Sequence, residues 1–263
     1  MNLKDYRLLG AIRIKRYSVH YSLFKGFYPL WTLIFLSFLR YTLQRSSYVF
    51  LHGCNSNHIE GSRLTHDQTR YIFETNTTGI DGGSIKVDDI VETANHFKCI
   101  DLIIENAKKP ITETFIKELH RTLKNGTSDA RQDWFAVGDY KRLPNTVGDM
   151  CTVQPEEVAK KMKELLFEYN AKKEKTFDDL LDFHYKFECI HPFQDGNGRI
   201  GRLLLLKECL KYNIVPFIID EELKLFYYRG LKEWLNERGY LRDTCLMAQD
   251  KFKLYLDYFK VQY

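Results

Sequence analysis

The sequence predicts one mainly helical domain with a small β-hairpin flap, on three observations. Apolar residues recur at helical spacing almost throughout the chain beyond residue 50. A single stretch, residues 134–153, interrupts that rhythm with short β-prone runs around turn formers. No internal repeat, low-complexity tract or Gly/Ser linker divides the 263 residues.

Taken in order, residues 1–50 form no recognisable unit. Within them GFYPLWTLIFLSFL, from Gly26 to Leu39, is uncharged but only 14 residues long before Arg40. A spanning helix wants ~20 apolar residues, so the run reads as a buried helix, with a short membrane anchor as the alternative. It lacks the small-residue cleavage site of a signal peptide. Farther on, Ile90, Val91, Ala94, Phe97 and Ile104 mark one helical core face. Phe115, Ile116, Leu119 and Leu123 mark a second, opened by Pro110 and Thr112. The runs Phe135 to Val137 and Met150 to Val153 flank KRLPNTVGD and are expected to form a hairpin or extended flap. Val158, Met162, Leu165, Leu166 and Tyr169 make a third stripe; Leu223, Tyr227, Leu231 and Trp234 make another. Between them Phe177, Leu180, Leu181, His184, Phe187 and Ile190 share one face of a helix that Pro192 must stop.

Composition excludes several classes. Hydrophobic residues at 44% and charged residues at 28% belong to a folded globular chain. The net charge of +4 is mild and well mixed, with no basic stripe interleaved with aromatics, so nucleic acid is not an expected partner. Six scattered cysteines with no CxxC pair point to reduced thiols in a cytoplasmic protein. His52, His58 and His66 lie close together, but without a Cys or paired carboxylates at ligand spacing they are read as non-ligating.

The chemistry concentrates in HPFQDGNGRIGR, His191 to Arg202, a glycine-rich loop between two apolar helices. Gly196 and Gly198 can take positive φ and let backbone approach a ligand. Successive N–H groups there, with the N-terminus of the following helix, make an anion site. Arg199 and Arg202, on one helical turn, can reach the same polyphosphate. Asn197 can donate to a phosphate oxygen, Asp195 is a hard ligand suited to Mg²⁺, and His191 can accept a hydroxyl proton.

HPFQDGNGRIGR resembles the Fic motif, HPFx(D/E)GNGRxxR, at every fixed position. The likeness extends from about Ser56 to the C-terminus through ETANH, IKELHRTL, KRLPNTVG and YYRGL. It implies the mainly helical Fic fold and a protein adenylyltransferase moving AMP from ATP to a Ser, Thr or Tyr hydroxyl. It also implies roles. His191 would be the general base and Asp195 the Mg²⁺ ligand. Gly196, Asn197, Gly198 and Arg199 would cradle the phosphates, with Ile200 and Gly201 in the same segment, and Arg202 would hold the γ-phosphate. Asn145, Thr146 and Val147 would align the target by strand pairing, and Tyr227 and Tyr228 match positions near the adenine, although core packing explains them equally well.

Upstream, Ser56 and Glu60 fit the family's inhibitory pattern (S/T)xxxE(G/N), four apart on one helix face. The resemblance is to the class whose inhibitory helix precedes the catalytic core, here residues 51–75 before a core over 76–263. Glu60 pairing with Arg202 would deprive the γ-phosphate of its partner. The expected partner is a protein substrate, with self-modification and a homo-oligomer both compatible. Removal of AMP by the same site, or a non-catalytic peptide-binding module, are the rival readings.

Overall fold

The computed structural model describes residues 43–77, 84–147 and 150–258, and among them helix dominates. In chain order the helices are α1 (Leu43–Ile59), α2 (His66–Thr75), α3 (Val87–Glu105), α4 (Glu113–Lys124), α5 (Pro155–Ala171), α6 (Phe177–Ile190), α7 (Asn197–Tyr212), α8 (Lys224–Glu233) and α9 (Gly239–Tyr258). A two-stranded antiparallel ribbon, β1 (Thr146–Val147) with β2 (Met150–Cys151), lies between α4 and α5.

Local signals set the helix starts. Thr65 and Gln68 close a reciprocal capping box on α2, as do Thr176 and Asp179 on α6. Thr112 accepts from the Phe115 N–H at the start of α4, and Pro155 opens α5. Left-handed caps at Asn76, His191 and Asn213 end α2, α6 and α7.

Two clusters of buried side chains are organised around α7, which is buried along nearly its whole length. The larger joins α1 through α7 with the end of α9. The smaller joins α6, α7, α8 and α9. Gly230 lets α8 and α9 touch, since a Cβ there would come within 2.5 Å of the Leu241 Cα. The charged pair inside α7's apolar run is accommodated by partners: Lys207 Nζ sits 3.0 Å from Glu208 Oε1, and Tyr169 donates to Glu208 Oε2 at 2.9 Å. Lys207 also donates to the Ala107 and Lys109 carbonyls.

Two expectations need correction. Phe135–Val137 is not a strand, because the N–H groups of Phe135, Val137 and Asp139 close local turns onto Gln132, Phe135 and Ala136. Phe135 is buried against the His120 ring, so packing on the helical body overrides its β preference. In α3, Phe97 and Ile104 are buried in the main core and Ile90 and Ala94 pack against it as the spacing predicts, while Thr93, Asn95 and His96 are buried as well. The buried polar side chains are satisfied, Asn95 Nδ2 donating to the Leu123 and Asn125 carbonyls and His96 Nδ1 meeting Asn57 Oδ1. Finally, α1 begins within the stretch left unassigned, and residues 51–75 are the end of one helix, a turn at Gly61 (φ 92°) and a second helix. Tyr48, Val49, Phe50 and Leu51 belong to the main core, so α1 is part of the same helical body.

No helix among the described residues is long and apolar enough to cross a membrane; the Gly26–Leu39 run lies outside them.

Candidate active site

The glycine-rich loop joins α6 to α7 at the centre of the bundle. His191 caps α6 at φ 50°, ψ 62°, a left-handed conformation that a non-glycine residue adopts at a cost of ~1 kcal/mol or more. The loop is over-determined enough to hold it there. Asn197 Oδ1 accepts from the Phe193 N–H and its Nδ2 donates to the Phe193 carbonyl, both at 2.8 Å. Phe193 stacks on His120 with centroids 4.0 Å apart, and the Lys141 N–H donates to the Pro192 carbonyl at 2.9 Å.

His191 Nδ1 is buried, without a hydrogen-bond partner, 4.0 Å from Glu188 Oε2. Burial and the nearby Lys141 ammonium push its pKa down to about 4, so it is a neutral imidazole at physiological pH. That is the protonation state a base requires. Burial, with the repulsion of Glu60 added, pushes Glu188 up to about 8 despite Arg202.

Three cations converge above the loop. Lys124, 1% exposed, bonds Glu92 Oε1 (2.5 Å), Asp129 Oδ2 (3.1 Å) and Asp195 Oδ2 (2.7 Å). Arg199 pairs with Glu92 Oε2 and, at 3.2 Å, with Asp195 Oδ2. Burial opposes ionisation of Asp195, but Arg199 and Lys124 outweigh it and hold the carboxyl at about 2. Arg202 is the third: Nη2 meets Glu60 Oε1 at 2.7 Å and the Ser56 carbonyl at 3.0 Å, and Nε donates to Ser56 Oγ at 2.9 Å. Arg199 Nε and Arg202 Nη1 remain buried without partners.

Gly196 takes φ 83° as its place before α7 predicts. Gly198 does not take positive φ; it sits inside the first turn of α7, and its need for glycine is space, because a Cβ would collide with Glu60 Oε1 and crowd Arg202 Nη1. The Glu60 carboxylate therefore lies directly over the backbone where the sequence places a phosphate.

Other predicted site residues are redistributed. The Asn197 side chain, expected to donate to phosphate, instead closes the loop and is 1% exposed. Ile200 is fully buried in the main core, and its N–H is bonded to the Gly196 carbonyl, which removes it from ligand contact. Gly201 permits close packing on His184 and Glu188. Tyr227 is a core residue whose hydroxyl meets His184 Nε2 at 2.6 Å, while Tyr228 is 38% exposed and feels both Glu60 and Arg202. In the flap, Asn145 is an anchor: Nδ2 donates to the Phe193 carbonyl at 2.9 Å and Oδ1 accepts from Lys141 Nζ at 2.6 Å. Thr146 and Val147 are exposed on β1.

Sequence reasoning missed Lys124, Glu188 and the role of Glu92. Lys124 ends the α4 stripe as an ordinary helical lysine, and Glu92 within ETANH carries no local signal of a role; only their convergence on Asp195 and Arg199 reveals them.

Residues 110–209 match the Fic/DOC family. Among curated proteins, the chain is 32% identical over 196 residues to Protein adenylyltransferase fic-1 of Caenorhabditis elegans, covering 72% of this chain and 37% of that protein. It is 27% identical over 195 residues to Protein adenylyltransferase Fic of Nematostella vectensis, covering 73% and 43%. The chain thus spans less than half the length of these relatives. Among solved structures, a Fic-domain-containing signaling protein from Bacteroides thetaiotaomicron superposes with TM-score 0.66 at 29% identity over 82% of each chain. Residues 134–508 of C. elegans Fic-1 superpose with TM-score 0.67 at 24% identity, covering 82% of this chain and 64% of that one, a likeness of fold.

Proposed function

We propose that this chain, which belongs to the Fic/DOC family through the domain at residues 110–209, transfers AMP from ATP to a hydroxyl of a target protein and is restrained by its own Glu60. The observation that carries this reading is the Glu60–Arg202 pair standing over Gly198, where a polyphosphate would lie.

The donor set fits Mg²⁺-bound ATP. Asp195 is an ionised carboxylate, about half exposed, whose two ion pairs both end on Oδ2. It would hold the cation, which supplies charge neutralisation on the phosphates. Arg199 Nε and Arg202 Nη1 are unpaired buried donors of the kind an anion satisfies. The first N–H groups of α7 at Asn197 and Gly198 add the helix N-terminus.

In the transfer, the target hydroxyl attacks the α-phosphorus in line as the bond from that phosphorus to the bridging oxygen of pyrophosphate breaks. His191 takes the hydroxyl proton; with Nδ1 buried beside Glu188, Nε2 is the nitrogen left for it. Arg199 and Arg202 offset the charge that grows on the departing pyrophosphate. Thr146 and Val147 offer an exposed strand edge to a target segment, stapled by Asn145 to the catalytic loop. A cytoplasmic setting is part of this reading.

The test incubates α-labelled ATP and Mg²⁺ with wild type, Glu60→Gly and Glu60→Gly/His191→Ala, followed by a gel of covalently bound label. Label on Glu60→Gly or on an added protein, absent from the double variant, is expected. No label on any of the three would overturn AMP transfer and favour removal of AMP.

A further inference from the structure

Cys54, His58 and His66 come together on the side of α1 away from Arg202. Cys54 and His58 are i and i+4 on α1, and the turn through Gly61 brings His66, the first residue of α2, over them. One ligand-type atom from each lies within 4.8 Å of the others. Cys54 Sγ is 3.6 Å from His66 Nδ1, and the His58 and His66 rings meet edge-on with centroids 5.8 Å apart. Two ligands at a tetrahedral angle, with Zn–S about 2.3 Å and Zn–N about 2.0 Å, stand roughly 3.5 Å apart. The thiol and imidazole already have that separation.

The surroundings are also those of a ligand set. His58 Nε2 donates to the Leu64 carbonyl, which leaves Nδ1 with its lone pair; metal-binding histidines commonly tie their second nitrogen to a backbone carbonyl in this way. Cys54 is buried, His58 half-buried and His66 exposed, so solvent can reach the fourth position.

We propose that Cys54, His58 and His66 bind a divalent transition metal such as Zn²⁺, with water as fourth ligand, and that this metal fastens the last turn of α1 to α2. Binding releases one proton, that of the Cys54 thiol, to solvent. Ser56 and Glu60, gripped by Arg202, lie on the opposite face of the same turn. The metal therefore holds the segment that presents Glu60, and this regulatory consequence rests on the proposed function.

The experiment titrates the full chain with Zn²⁺ against a chromophoric chelator and with Co²⁺ read by visible absorption. One equivalent is expected in wild type and in the Cys189→Ser control, an exposed thiol elsewhere. Cys54→Ser and His66→Ala are each expected to weaken binding at least tenfold. Amide hydrogen exchange over residues 54–66 should slow on adding Zn²⁺ in wild type and stay unchanged in His66→Ala. No stoichiometric binding, binding that both variants retain, or exchange indifferent to Zn²⁺ would each overturn the site. None of these readouts uses AMP transfer, so they stand or fall separately from it. If both readings hold, a zinc-selective chelator in excess Mg²⁺ raises the transfer rate of wild type and not of Glu60→Gly; equal responses would overturn the regulatory part.

Discussion

Replacing Glu60 by glycine removes the carboxylate that holds Arg202 and covers Gly198, and little else. Glu60 lies one residue past the end of α1, next to Gly61 at φ 92°, so glycine costs the helix almost nothing there. The lost contact is a 2.7 Å ion pair between an arginine side chain 6% exposed and a glutamate 26% exposed. Two unit charges about 4 Å apart at an effective dielectric of ~20 attract by about 4 kcal/mol before desolvation. Desolvation and the partial exposure of Glu60 reduce that to roughly 2–3 kcal/mol. At about 1.4 kcal/mol per tenfold, ATP should reach its productive pose some ~30- to ~150-fold more often. The assay is the initial rate of label transfer under saturating ATP, with Glu60→Gln as the intermediate case because it loses the charge but keeps an acceptor. A folded Glu60→Gly within threefold of wild type would refute the argument that Arg202 is withheld by this pair.

Further outcomes follow from the same geometry. His191→Ala in the Glu60→Gly background should lose roughly 10²-fold or more in transfer while ATP affinity, read by calorimetry, changes little. With His191 held at about 4, the acid limb of kcat/KM for Glu60→Gly should fall below pH ~5 rather than near the ~6.5 of a free imidazole; a limb at 6.5 would contradict a buried, neutral base. Lys124→Met leaves Glu92 and Asp195 without their buried partner and should destabilise by ~3 kcal/mol, lowering Tm by roughly 6–12 °C. Burial holds His52, His120 and His184 at about 3 and His191 at about 4, all below the unfolded value. Their contribution is full above pH ~6.5 and is lost as pH falls from there toward those values. Glu188, raised to about 8, and Glu74, also raised, oppose this by relaxing as pH drops, but they are two groups against six once His66 and His96, both lowered by burial, are included. The urea midpoint should therefore fall between pH 7 and pH 5, and a flat profile would count against the buried histidines.

The sequence alone determined the helical class, most core faces, the polar residue set of the 191–202 loop and the spacing of Ser56 and Glu60, both of which meet Arg202. These rest on short-range spacing, which a linear pattern records. Phe115, Ile116, Leu119 and Leu123 needed nothing but their period to be placed in the core, and all are buried. Only the tertiary structure decided what each polar side chain faces. Lys124 and Glu92 are separated by 32 positions, and Arg199 and Glu92 by 107, so no local signal couples them. Asn197 looks like a ligand-facing amide and Asn145 like part of the target-docking flap, yet the loop's own backbone groups are nearer and claim both side chains. Likewise Cys54 and His58, four apart on α1, are a local pair, but only the turn at Gly61 brings His66 to them.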